Sequence, residues 1–146
     1  PEIILSGRRI NDSKPEHIAT NVIRYLMNYR VNLENARMLV LGLTFKEDCP
    51  DTRNTKVLDL VYHIKRFDVT VDVFDPYISS ASDENRFDFN IIEDIRPGYY
   101  DGVVIAVSHK EFREMGIDKI SSFLKDNAPI FDLKGVFPPN KSIYQL

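Results

Sequence analysis

The sequence predicts an α/β protein, a doubly wound and mostly parallel sheet preceded by a long amino-terminal helix. Three stretches carry that expectation. Met38 to Leu41 is a short apolar run that ends at Gly42, turns polar and then enters an amphipathic helix. Val69, Val71 and Val73 alternate with Thr70 and Asp72 until Asp75-Pro76 stops the ladder, since proline cannot donate to it. Gly102 to Val107 is continuously apolar between Asp101 and Ser108, as a central strand buried on both faces requires. Strands alternating with helices imply parallel crossovers and helices on both faces of the sheet.

Taken in order, Asp12 or Ser13 can cap a helix that begins near Lys14-Pro15-Glu16 and runs to about Arg30, with Ile18, Val22, Tyr25, Leu26 and Tyr29 at helical spacing. Ile23 and Met27 widen its apolar face beyond the stripe that one sheet contact needs. Two readings are open: the helix covers this domain's own sheet, or it packs on a second subunit or another domain. After a polar turn at Asn32 to Asn35 come the first strand, a binding loop, and a helix from about Asn54 to Arg66 with Val57, Leu58, Val61 and Ile64 on one face. Ile78 to Asn85 is small and polar and reads as a mobile loop. Phe87 to Ile92 suggests a short strand, followed by a brief helical turn at Glu93 to Ile95. Beyond the central strand, which should lie beside the first, a helix is expected from Ile117 to Lys125. A final strand is expected from Pro129 to Leu133.

At 146 residues, 43% hydrophobic and 28% charged, the chain suits one buried core. A net charge of -3 supplies no long-range pull toward nucleic acid or an anionic membrane, so any anion site must be local. The lone Cys49 leaves no disulfide within the chain, and there is neither a leader pattern nor an apolar run of spanning length. These features together imply a soluble cytoplasmic protein. The sequence opens at Pro1 rather than Met, which implies further residues upstream.

None of the six glycines falls in the G-x-G-x-x-G spacing, and a Walker loop is absent, so the first loop is not built for close approach of a pyrophosphate to backbone. Side chains must grip instead. Lys46 and Arg53 stand in that loop, where each can reach a phosphate or ribose oxygen; alternatively both are paired with Glu47, Asp48 and Asp51 on a solvated surface. The same three acids could be drawn as a metal cluster, but nothing supplies the further oxygens a hard cation takes. Cys49 has no His near it in sequence, which disfavours a nucleophile. His17 and His63 sit in helices. His109 follows the central strand, either as a ligand-side residue or as a cap leading into Phe112. Asp75 occupies the place of a ribose-binding acid in dinucleotide folds, but without the glycine fingerprint it reads as an Asp-Pro turn.

Together, Gly42-Leu43-Thr44-Phe45-Lys46, Asp51-x-Arg53-Asn54-Thr55, Asp75-Pro76 and Val104-Ile105-Ala106-Val107-Ser108-His109-x-x-Phe112 closely resemble the carboxyl-terminal, UDP-binding domain of the UDP-glucose/GDP-mannose dehydrogenase family. The likeness covers almost the whole chain. With Gly7-Arg8-Arg9-Ile10-Asn11-Asp12 ahead of the helix, it is most similar to bacterial UDP-N-acetylhexosamine 6-dehydrogenases of surface polysaccharide biosynthesis. The resemblance implies a Rossmann-like UDP-sugar-binding domain over residues 35–146, with residues 1–34 as the end of a central dimerisation helix. It implies Phe45, Lys46 and Lys134 as substrate-binding residues and Arg53 as reaching the NAD side of the cleft, although Lys134-Gly135 stands where some members have paired arginines. It also implies NAD as cofactor, bound mainly by an amino-terminal domain, and a homodimer. Two hydride transfers would oxidise the sugar to its uronic acid. The glycine fingerprint and the cysteine-bearing glycine-rich motif are both missing here, so the chain alone is expected to be inactive and to contribute no catalytic residue. A reading from another class is a free-standing nucleotide-binding or protein-interaction module.

Overall fold

The computed structural model describes residues 2–29, 31–44, 47–48, 50, 55–78 and 87–146, with 2–13 as backbone only. Its centre is a sheet of six parallel strands in the order β3-β2-β1-β4-β5-β6. The strands are β1 (Arg37–Leu41), β2 (Thr70–Phe74), β3 (Asn90–Ile91), β4 (Gly102–Ile105), β5 (Ile130–Asp132) and β6 (Ile143–Tyr144). Three helices join them, α1 (Glu2–Asn28), α2 (Lys56–Lys65) and α3 (Lys110–Ser121). This order is that of a Rossmann-like doubly wound sheet, with a switch point between β1 and β4, where successive connections leave in opposite directions.

Strand side chains alternate between two cores, as the pleat demands. Met38, Val40, Val71, Val73, Val104 and Phe131 face α1 and α2, where Ile18, Val22, Leu26, Leu60 and Ile64 are buried. Leu39, Leu41, Val103, Ile105 and Ile130 face the opposite layer, with Phe112 and Ile120 of α3. Leu41 pairs with Phe74 on one side and Ile105 on the other, so β1 lies between β2 and β4 as expected.

Several expectations change. α1 starts near the beginning of the chain rather than at the Asp12-Ser13 signal, with Pro15 inside it. A proline there deletes a single backbone hydrogen bond, and the ring is buried against the domain. Ile23 goes into this domain's own core, whereas Met27 is 60% exposed. Residues 93–94 form bends and 95 has no regular structure, so the helical turn expected over 93–95 is not formed. α3 begins at Lys110, and Gly116, with φ 78° and ψ 166°, breaks its helical dihedrals at the point where the sequence suggested a start. The strand at 130–132 is not the last. β6 adds an edge, and its Tyr144 packs at a tilt against Tyr25 with ring centroids 4.3 Å apart and shares a 2.7 Å hydrogen bond with the Tyr29 hydroxyl. That pair ties the carboxyl end of the chain to α1. The loop expected over 78–85 lies, beyond Ile78, outside the described residues.

Candidate functional site

Above the carboxyl ends of β1, β4 and β5 lies a cavity of about 470 Å3. Thr44 and Glu47 from the loop after β1, Thr55, Lys56 and Val57 at the start of α2, Ala106 to Ser108 after β4 and Leu133-Lys134 after β5 form its wall. Lys14, Pro15 and Ile18 of α1 close one side, and Leu146 reaches it from the chain end. Its charged lining is three lysines against one glutamate, beside an apolar floor of Val57, Leu60, Val107 and Leu133. The amino terminus of α2 adds partial positive charge, because its first N–H groups have no partners within the helix. Thr55 is its cap, its hydroxyl accepting from the Val57 amide at 3.1 Å. Such a hollow suits a ligand with an anionic end and a flat or apolar remainder.

Each wall is held by specific contacts. Gly42 has φ 101°, and a Cβ there would stand 2.6 Å from Val107 Cβ and 3.0 Å from the Val107 nitrogen. Only glycine lets the loop after β1 pass this close to the loop after β4. Behind the cavity, Asp75 and His109 meet over the end of β1. The Asp75 carboxylate accepts from the amides of Leu43 (2.7 Å), Thr44 (3.2 Å) and Tyr77 (2.9 Å), and lies 2.9 Å from His109 Nε2. Burial alone would push this carboxyl up; the hydrogen bonds from His109, Leu43 and Tyr77 outweigh it and hold the group below its ordinary value. The Asp48 amide donates to His109 Nδ1 at 2.8 Å, so the neutral ring carries its proton on Nε2, toward Asp75 and the Thr44 hydroxyl at 3.0 Å.

Asp48 itself has φ 55°, a left-handed conformation costing about 1 kcal/mol outside glycine. Its carboxylate accepts from the Lys110 amide at 2.8 Å, and the neighbouring Glu47 accepts from the Ser108 hydroxyl at 2.5 Å. Arg113 lies 3.8 Å from Glu47 and 3.7 Å from Asp48, and donates to the Ser108 carbonyl. These acids are thus engaged by the β4–α3 connection. Tyr77 donates to Glu111 at 2.8 Å, and that bond raises its phenol to about 12. Asp48, His109 and Glu111 bring ligand-type atoms within 4.8 Å of one another. Both imidazole nitrogens already have partners, so the cluster is a hydrogen-bond network rather than a metal cage.

Of the residues expected to bind, Lys134 lines the cavity, while Phe45, Lys46 and Arg53 lie outside the described residues, as do Cys49 and Asp51. Asp75 does form the turn expected of Asp-Pro, through Tyr77, but it also serves His109 and the loop after β1. Its carboxylate is occupied and faces inward, so it cannot take a ribose. His109 is fully buried. His17 lies 3.2 Å from the Asn21 amide, and His63 meets the Tyr62 ring edge-on at 5.3 Å. The cavity lysines of α1 and α2 went unnoticed in the sequence, since only packing brings Lys14 and Lys56 beside Lys134.

Among curated proteins, the chain is 36% identical to a UDP-N-acetyl-D-glucosamine 6-dehydrogenase of Salmonella typhi, over 100% of its own length and 34% of that protein's. A Pseudomonas aeruginosa protein of the same name is 38% identical, over 100% and 35%. The chain therefore spans about a third of the length of these relatives. Among solved structures it is similar to the UDP-N-acetyl-mannosamine dehydrogenase Cap5O from Staphylococcus aureus, with a TM-score of 0.75 at 25% identity, covering 99% of this chain and 32% of that one. It is likewise similar to the UDP-D-ManNAc dehydrogenase from Pyrococcus horikoshii, with a TM-score of 0.72 at 27% identity, covering 94% and 31%. The family model for the UDP binding domain matches residues 39–139, from β1 through the cation-lined cavity to the loop beyond β5, and the chain belongs to the UDP-glucose/GDP-mannose dehydrogenase family.

Proposed function

We propose that this chain is the substrate-nucleotide domain of an NAD-dependent UDP-sugar 6-dehydrogenase acting in the cytoplasm in surface polysaccharide biosynthesis. The observation that carries the reading is the lysine-lined cavity at the sheet's switch point, in a chain matched by a UDP binding domain. On this reading the diphosphate takes the cationic wall and the uracil the apolar floor, while the sugar projects toward protein outside this chain. Phe45 and Lys46 bind the nucleotide, Lys134 approaches the substrate, and Arg53 reaches the NAD side of the cleft. Residues 1–34 belong to a central dimerisation helix and 35–146 to the nucleotide domain.

The residues described here do not fit NAD itself. The loop after β1 has Gly42 as its single glycine among the described residues, and the acid at the end of β2 is spent on backbone amides and His109. Hydride transfer accordingly belongs elsewhere in the protein. Binding the remote nucleotide supplies free energy that closes the cleft and orients the reacting carbon.

Titrating the chain with UDP while recording amide chemical shifts tests the proposal. Perturbation of Thr44, Val57 and Leu133 is expected. Their insensitivity to millimolar UDP overturns it. In a full-length dehydrogenase carrying this domain, Lys46→Ala should raise KM by one to two decades, the loss of a charge-assisted contact of roughly 1.5–3 kcal/mol. An unchanged KM removes Lys46 from the site.

A further inference from the structure

We propose that His109 is a positioning residue for the nucleotide site, setting the β1 side of the cavity for a nucleoside diphosphate without touching the ligand; the inference rests on the nucleotide reading above. His109 is fully buried and is not part of the cavity wall, yet its two ring nitrogens bond residues on both sides of Phe45-Lys46 in sequence. On one side, Nε2 lies 3.0 Å from the Thr44 hydroxyl, and Asp75, 2.9 Å from the same nitrogen, takes the Leu43 and Thr44 amides. On the other, Nδ1 accepts the Asp48 amide, at a residue whose left-handed backbone needs an external hold. Thr44 and Glu47, the residues inside those two anchors, both line the cavity.

The strand order explains why this falls to a residue after β4. β4 is the neighbour of β1 at the switch point, where the connections diverge, and among the described residues no helix or strand joins the two loops. Side chains bridge them, His109 together with Glu47, Asp48 and Arg113. The bridge needs an acceptor toward Asp48 and a donor toward Asp75 on one rigid plane, which a neutral imidazole with its proton on Nε2 provides. Packing alone would need only a ring of this size between Tyr77 and Phe112, whose centroids lie 4.6 and 5.4 Å away.

Two variants separate those roles. His109→Asn keeps an acceptor near the Nδ1 position and loses the donor at Nε2, whereas His109→Gln keeps the distal donor and loses the proximal acceptor. UDP affinity is measured by titration of the wild type and both variants, with exchange of the Asp48 amide followed in each. His109→Gln is expected to weaken UDP about tenfold and to speed Asp48 exchange by a similar factor, the loss of one positioning hydrogen bond. His109→Asn leaves the buried Asp75 carboxylate without its imidazole donor and so costs stability, yet it keeps the Asp48 anchor and should weaken UDP less than His109→Gln does. Folded variants that lose affinity equally, or a folded His109→Gln with wild-type affinity, overturn the inference. Should either variant not fold, the wild type decides: ring nitrogen shifts must show the proton on Nε2, and the Asp48 amide must be protected. The opposite tautomer, or an unprotected amide, overturns it. A wild-type chain that ignores UDP instead overturns the nucleotide reading, leaving the tautomer and amide to decide the bridge by themselves.

Discussion

Replacing Gly42 with alanine should destabilise the domain more than any other single methyl added to its backbone turns. Two costs act together. The residue sits at φ 101°, where an L side chain loses about 1–2 kcal/mol. The new carbon would also stand 2.6 Å from Val107 Cβ, 2.8 Å from Val107 Cγ2 and 3.0 Å from the Val107 nitrogen. Overpacking of this kind costs about 1–3 kcal/mol. Alanine returns roughly 0.5 kcal/mol by restricting the unfolded chain. The net expectation is about 2–4 kcal/mol, a large part of the roughly 5–15 kcal/mol that holds a domain together. Urea unfolding followed by circular dichroism should show a midpoint lowered by about 1–2 M at unchanged slope. Pairing the change with Val107→Ala should recover only the part owed to Cγ2, because Val107 Cβ and the backbone remain; a double-mutant cycle isolates that share. A loss below about 1 kcal/mol would show that the two loops can part without strain, and the reasoning about their close approach would be wrong.

Three further outcomes follow from the geometry. Thr55→Ala removes the acceptor for the Val57 amide at the start of α2 and should cost about 1 kcal/mol by urea unfolding, with Thr55→Ser restoring most of it; equal loss in both variants would point to the methyl group instead. Tyr144 is raised to about 12 by its bond with the Tyr29 hydroxyl and, next, by burial, so Tyr29→Phe should return it toward its ordinary value of 10.0, read by absorbance titration of phenolate. No movement would place the cause elsewhere. The lowered Asp75 carboxyl contributes stability that is fully present above 3.8 and is lost as pH falls through its folded value; urea midpoints should decline in that acid range, and Asp75→Asn should remove the part of the slope that it supplies.

Much of the sheet was legible because its signals are local. The run Met38 to Leu41 and the alternation of Val69, Val71 and Val73 report burial residue by residue, and they locate β1 and β2 within a residue or two. β3 and β6 are two residues each and owe their existence to a neighbour rather than to any pattern of their own. The first half of α3 was missed since Glu111, Arg113 and Glu114 leave Phe112 as its single buried anchor. In the site, the loop after β1 was recognisable from composition, and Asp75 from its proline. Its partnership with His109 was not, because the two residues are 34 positions apart and meet only once β2 and β4 flank β1. Lys14 and Lys134 come from opposite ends of the chain, and no spacing rule connects them.

The outermost strands of the sheet, Asn90–Ile91 on one margin and Ile143–Tyr144 on the other, each carry only two residues. Among the described residues each margin therefore offers few unpaired backbone donors and acceptors to a seventh strand, one of the ways in which a sheet limits pairing through its edges. If copies of this chain associate, the contact is expected to respond to substitution on its faces and helices more than to strand-capping peptides.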